Sequence, residues 1–342
     1  MTAAAREVPA SMQAWQVVAH GSPAEALELR EAAVPTPGPG QVLVRVHATA
    51  LNFPDVLMAA GQYQVRPELP FTPGIETCGT VVASGDSAGE PLVGRRVVGM
   101  PALPHGSLAE YALAPVHTMF GAPDALDDAE AASFYVAYQT GWFGLHRRAG
   151  LRQGETLLVH AAAGGVGSAA VQLGKAAGAR VVGIVGSPEK ADVARALGAD
   201  VVVDRTVGDL VTSLKDALGT RGADVVYDPV GGEAFEASTR VVAFEGRIVV
   251  VGFASGQVPQ AATNHALLKN YGVLGLHWGL YQERAPELVR QAHDELCALA
   301  EQGVVRPLVS QRVPMADAAR GLAELAAGRT TGRVVVEVAG HG

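Results

Sequence analysis

The sequence predicts an α/β chain in two parts, a mostly β region and a doubly wound parallel sheet. Three observations carry that expectation. From residue 155 strands and helices alternate at βαβ spacing, and the first third is cut into short β-branched runs by Pro-Gly clusters. The chain also has 342 residues, 49% of them apolar, enough to bury two cores.

The elements follow in order. "MTAAAREVPAS" (1 to 11) reads as an extension ahead of a strand starting near Met12 and lacks the apolar centre of a signal peptide. "VLVRVHATAL" (42 to 51) alternates, "CGTVVASG" (78 to 85) and "RRVVGM" (95 to 100) are β-branched, and "PTPGPG" (35 to 40) punctuates them. Near residue 123 the pattern becomes helical: "PDALDDAEAASFYVAYQTGWFGLHRRAG" starts acidic and ends basic, as a helix dipole favours, and forms a bridge to the next part.

The alternation then runs "TLLVHA", a helix over 166 to 178, "RVVGIVG", a helix over 188 to 198, "VVVD" and a helix over 208 to 219. "ADVVYDPV", a helix over 232 to 243, "GRIVVVG" and "VLGLHW" complete a parallel sheet covered on both faces. Val166, Ala169, Ala170 and Leu173 share one helical face and are expected to meet the sheet. Beyond residue 275, "PELVRQAHDELCALAEQG" and "MADAARGLAELAAG" read as amphipathic helices, with "VRPLVSQRVP" between them and "GRVVVEV" last. These return to the first region, so the expected domains are 1–134 with 275–342, and 135–274.

Charge and cysteine content exclude several classes. Lys and Arg number 26 against 34 Asp and Glu, a net charge of −8, which leaves no cationic excess for a phosphate backbone and argues against nucleic acid as a partner. Cys78 and Cys297 are too few for a disulfide framework or a four-thiolate zinc site. With no apolar run long enough to span a membrane, the expectation is a cytoplasmic protein.

The most informative stretch is "LLVHAAAGGVGSAAVQLGKAAGARVVGIVGS" (157 to 187). Ala162-Ala163-Gly164-Gly165-Val166-Gly167 follows G-x-G-x-x-G with Ala162 in the first place, between a strand and a helix. That context fits a dinucleotide: Gly164 lets backbone approach a pyrophosphate, the helix start supplies N–H donors, and Gly167 lets helix and strand pack closely. At the tip of the next strand, where an NAD site places an acid for the ribose 2′-hydroxyl, stands Gly186-Ser187. A small hydroxyl, Lys190 one turn on and Arg205 past the third strand suit a 2′-phosphate, so the expected cofactor is NADPH.

With these residues in view, the sequence resembles the zeta-crystallin-like quinone oxidoreductases of the medium-chain dehydrogenase/reductase superfamily. The likeness spans nearly the whole chain, through "PGPGQVLVRVHATALNFPDVLMAAGQY" (37 to 63), "PFTPGIETCGTVVASG" (70 to 85), "AAAGGVGSAAVQLGKAAGA" (161 to 179), "GSPEK" (186 to 190) and "DVVYDPVGG" (224 to 232). It implies a GroES-like β domain formed by both chain ends and a Rossmann domain, with the active site in the cleft between them. Zinc-dependent relatives carry Cys or His ligands where this chain reads "ALNFPD", "PGIETCG" and "FYVAYQTG". Ile75 takes the place of the His and no Cys is available at the others, so a zinc-independent enzyme is expected.

Without a Lewis acid, hydride delivery suits acceptors that delocalise the arriving charge, namely quinones and small α,β-unsaturated carbonyls. The resemblance places Asn52 and Asp55 on the substrate side of the nicotinamide and Thr140 beside it. Tyr63 is similar in place to a tyrosine of mitochondrial enoyl thioester reductases that aids proton delivery or holds the carbonyl. Phe253, in "VGFASG", is expected to wall the nicotinamide pocket. Leu57 replaces a family aromatic, removing one wall for a flat quinone. The alternatives are an enoyl thioester reductase and an NADPH-binding structural or regulatory protein. "YGVLGLHW" (271 to 278) is apolar enough to pair two sheets edge to edge, so a homodimer is expected.

Overall fold

A computed structural model describes residues 8–338. The chain divides into two units, one running up to Val136 and resuming at Arg306, the other spanning Ala137–Val305. Most of the expected N-terminal extension, residues 1–7, lies outside the described residues.

The first unit begins with β1 (Ser11–Val17) and β2 (Leu27–Ala33), an antiparallel pair. It continues through β3 (Gln41–Ala50), β4 (Thr77–Ser84), β5 (Arg96–Gly99), β6 (Tyr111–Pro115) and β7 (Met119–Gly121). The second unit holds β8 (Thr156–Val159), β9 (Arg180–Val185), β10 (Val201–Asp204), β11 (Ala223–Asp228), β12 (Val242–Val250) and β13 (Gly272–Gly275). After the return come β14 (Val309–Pro314) and β15 (Arg333–Glu337), which join the first unit's sheet in the order β14-β15-β3-β4-β5-β7, with β6 also on β3. The end of the chain thus pairs with its beginning: Val335 lies opposite Ala50 in the antiparallel β15–β3 ladder. Trp15, Phe71, Leu108, Leu322 and Val336 fill one core of this unit.

In the second unit the parallel order is β10-β9-β8-β11-β12-β13. Every residue of β8 and β11 is buried, as unbroken apolar runs require when helices cover both faces. The chain winds outward from β8 to β9 and β10, then crosses to β11 on the other side. The carboxyl ends of β8 and β11 therefore flank the topological switch point, where open α/β sheets bind ligands. Of the helical face expected to meet the sheet, Ala169, Ala170 and Leu173 are fully buried and Val166 is half-buried.

Two expectations differ from the structure. The bridge is a helix over Asp128–Ala132, a second over Tyr135–Trp142 and a π-helical turn over Phe143–Arg148, and the units part within it, between Val136 and Ala137. The return falls at 305/306 rather than near 275. Helix Pro286–Glu301 stays with the parallel sheet because it packs on the second bridge helix: Trp142 Nε1 donates to Glu295 at 2.8 Å and Gln139 Nε2 to the Val289 carbonyl at 3.0 Å.

Candidate cofactor and catalytic sites

In the second unit β8 ends at Val159 and the chain turns through His160 to Gly164 into helix Gly165–Ala176. Gly164 is the N-cap and brings no side chain to the first-turn N–H groups, which stay available to an anion. Gly164, Gly165 and Val166 are half-exposed, whereas Ala163 is buried beneath them. The turn pivots on the Ala161 carbonyl, which accepts from Gly164 N at 2.8 Å. A Cβ on Gly167 would stand 2.0 Å from that oxygen, so only glycine lets the helix dock there.

At the tip of β9 the Arg205 side chain lies across Gly186. A Cβ on Gly186 would sit 3.3 Å from Arg205 Nε and 3.4 Å from Nη2, so the absent side chain makes a cradle for the guanidinium. Ser187 caps helix Pro188–Ala196, its Oγ accepting from Lys190 N at 3.4 Å. Glu189, which the sequence reading did not weigh, takes a hydrogen bond from Ser187, and that bond holds its carboxyl below the usual range. A small hydroxyl and a cation at the strand tip, with glycine N–H groups at the helix start, fit the 2′-phosphate and pyrophosphate of NADPH.

Thr140 lies buried in helix Tyr135–Trp142, while Phe253 is exposed, its ring edge 3.0 Å from where a Cβ on Gly231 would be. Trp278 is buried. Two further residues of this unit, His160 and Ser238, escaped the sequence reading. His160, at the end of β8, donates from Nε2 to Ser238 Oγ at 2.8 Å, and Ser238 spends its own hydroxyl hydrogen on the Ala234 carbonyl at 2.7 Å. Burial holds the His160 imidazole below its ordinary pKa, in keeping with a neutral ring whose proton is on Nε2.

In the first unit Asn52 caps helix Phe53–Ala59. Its Nδ2 donates both hydrogens, to the Ala50 carbonyl and to Glu76 Oε2, each at 3.0 Å. Both partners are acceptors, which orients the amide and leaves Oδ1 as an acceptor only. Asp55 is wholly buried: Oδ2 accepts from Asn52 N at 2.9 Å and Oδ1 from Gly74 N at 3.0 Å. Burial nevertheless pushes its carboxyl up to about 6, against the pull of those bonds. Tyr63 is half-buried against the core, and burial and then the Asp55 charge raise its phenol above the ordinary value.

The partner missed here is Glu76. It is fully buried, pairs with Arg333 on β15, and accepts from Val136 N at 2.7 Å as well as from Asn52. Ile75 beside it sits in the apolar core. Cys78 is buried against Asp128, with its thiol pushed far above its ordinary pKa mainly by burial. Among the described residues no group of three or more His, Cys, Asp or Glu is placed to hold a metal ion, and Glu76 is paired with Arg333.

Residues 38–124 match the alcohol dehydrogenase GroES-like domain and residues 165–294 the zinc-binding dehydrogenase family. A quinone oxidoreductase of Pseudomonas aeruginosa is 37% identical over 94% of this chain and 98% of its own length. The chain belongs to the quinone oxidoreductase family of the medium-chain dehydrogenase/reductase superfamily. Solved structures agree with that family: a quinone oxidoreductase of Pseudomonas syringae superimposes with a TM-score of 0.87 at 32% identity, covering 95% of this chain and 99% of the other. A mycobacterial protein complexed with NADPH gives a TM-score of 0.88 at 32% identity over the same shares. The family's two parts are the two units seen here, a GroES-like unit and a Rossmann unit.

Proposed function

We propose that this chain is an NADPH-dependent, zinc-independent reductase that passes hydride to quinones or small α,β-unsaturated carbonyls. The observation that carries the reading is the Gly186–Arg205 cradle beside the glycine turn, in a chain whose relatives include quinone oxidoreductases and a protein complexed with NADPH. NADPH supplies the hydride when bound. The N–H groups opening helix Gly165–Ala176 hold the pyrophosphate, while Arg205, with Ser187 and Lys190, receives the 2′-phosphate. Thr140 and Phe253 border the nicotinamide.

In the GroES-like unit each polar group has a distinct task. Asp55 positions, since both its oxygens are occupied by backbone N–H groups. Asn52, both of whose amide hydrogens are spent on Ala50 and Glu76, can only accept through Oδ1, which suits an N–H of the cofactor or a hydroxyl of the reduced product. Tyr63 donates the hydrogen bond or proton that an acceptor oxygen needs as charge arrives. Such acceptors spread that charge by conjugation, so orientation and hydrogen bonding suffice without a metal. No helix among the described residues is long and apolar enough to cross a membrane. We place the protein in the cytoplasm and pair two copies through β13, one of the two edge strands of the parallel sheet.

The test is NADPH oxidation by chelator-treated protein with 1,4-benzoquinone, 9,10-phenanthrenequinone, a short enone and crotonyl-CoA in parallel. Turnover of a quinone or the enone supports the reading. Turnover of crotonyl-CoA alone would replace it with a thioester reductase, and cofactor binding without any turnover would leave a binding protein.

A further inference from the structure

We infer that His160 and Ser238 are positioning residues for the cofactor turn, holding Ala161 in a left-handed conformation that alanine does not adopt unaided. The inference rests on the reading of the glycine turn as the NADPH site and concerns how that turn keeps its shape.

Ala161 has φ +50°, in the region that favours glycine. Such a residue persists only where its surroundings over-determine it. Its carbonyl is the pivot already described: it accepts from Gly164 N, and Gly167 packs against it. If Ala161 relaxed to negative φ, that oxygen would swing away and the first-turn N–H groups would lose their aim. Ala161 is itself exposed, so packing of its methyl group does not hold it.

The restraint comes from its neighbours in sequence. Ala162 N donates to the Ile184 carbonyl at 2.9 Å, which pins the turn to β9. On the other side His160 is held by three links. It continues β8, its N donates to the Tyr227 carbonyl at 3.1 Å, and its ring donates to Ser238 in helix Glu233–Val241. The first two are backbone links, whereas the ring bond is made by the side chain and is directional. Because the Ser238 hydroxyl already donates to Ala234, it can only accept from His160, so the ring has one orientation and one tautomer. His160 is 2% exposed and Ser238 0%, so water cannot replace either partner.

The experiment is a double-mutant cycle between the anchor and the strained residue, read by NADPH affinity from fluorescence titration and by thermal unfolding without cofactor. Ser238→Ala is expected to weaken NADPH binding about tenfold. Ala161→Gly removes the need for the anchor, since glycine takes positive φ freely. It should bind within about twofold of the parent, and Ser238→Ala added to it should cost less than about threefold. The unfolding midpoints should show the same coupling. His160→Gln, which keeps a donor at similar reach, should bind far better than His160→Phe.

Equal losses on Ser238→Ala in the Ala161 and Gly backgrounds would overturn the inference, as would a lowered midpoint with unchanged affinity. If Ser238→Ala fails to fold, the His160 pair decides, and equal affinity of the two variants overturns it. Failure of the parent to bind NADPH would instead refute the cofactor reading, while the unfolding cycle still reports whether the anchor holds Ala161.

Discussion

On the proposed reading, the close approach of Arg205 to Gly186 sets the cofactor preference. A carboxylate placed at Gly186 would meet the guanidinium and repel a 2′-phosphate, so Gly186→Asp should weaken NADPH about 100-fold while NADH gains, checked by titration of both. Arg205→Ala should cost NADPH about tenfold and leave NADH unchanged. Asp55 carries a pH signature. Its carboxyl titrates near 6 in the fold, above an ordinary aspartate, so the stability tied to its neutral form is fully present below about pH 4 and is lost as pH rises through 6. Denaturant titrations of the parent and Asp55→Asn should therefore diverge by up to about 3 kcal/mol against the parent between pH 4 and 6. A pH-independent difference would show that Asp55 is ionised throughout. The glycine turn, the Gly186-Ser187 strand tip and Arg205 were legible as candidates because they lie within one βαβαβ run. The partners that orient them were not, since Ser238 stands 78 positions from His160 and Arg333 stands 257 from Glu76.

Among the elements, β15 decides how the GroES-like unit closes. It delivers Arg333 to Glu76, and Glu76 in turn fixes the Asn52 amide and Val136 N, so one buried ion pair links β15, the cap of helix Phe53–Ala59 and the entry to the second bridge helix. Removing one partner leaves a buried charge uncompensated. Arg333→Leu should cost about 3–5 kcal/mol, and Arg333→Leu with Glu76→Gln should recover part of that loss in denaturant titrations. An undiminished loss in the double variant would mean that packing, not charge, dominates. Element existence followed from periodicity and turn residues in the parallel sheet, where strand and helix alternate. The bridge is helical as expected but divides into two helices and a π-helical turn, a division that its acidic-to-basic helical pattern does not mark.

At the scale of the whole molecule, the two-part architecture was readable from composition shifts and from the family resemblance, but the second boundary was not. An amphipathic helix such as Pro286–Glu301 shows an apolar face without naming the core it covers. Assembly is the remaining expectation at this scale. β13 is the last strand of its sheet, and Val273 on it is 38% exposed while Leu268 nearby in sequence is 78% exposed. Light scattering should give twice the 35.2 kDa chain mass, and Val273→Pro, which removes an edge donor, should give the monomer. A monomeric parent would refute pairing through that edge.

The comparison of kcat/KM for NADPH and NADH, with a quinone acceptor and chelator-treated protein, bears most directly on the proposed chemistry. A metal-free enzyme with Arg205 on the 2′-phosphate should favour NADPH about 100-fold and keep its rate after chelation. Equal use of the two cofactors, or activity lost on chelation and restored by zinc, would contradict it.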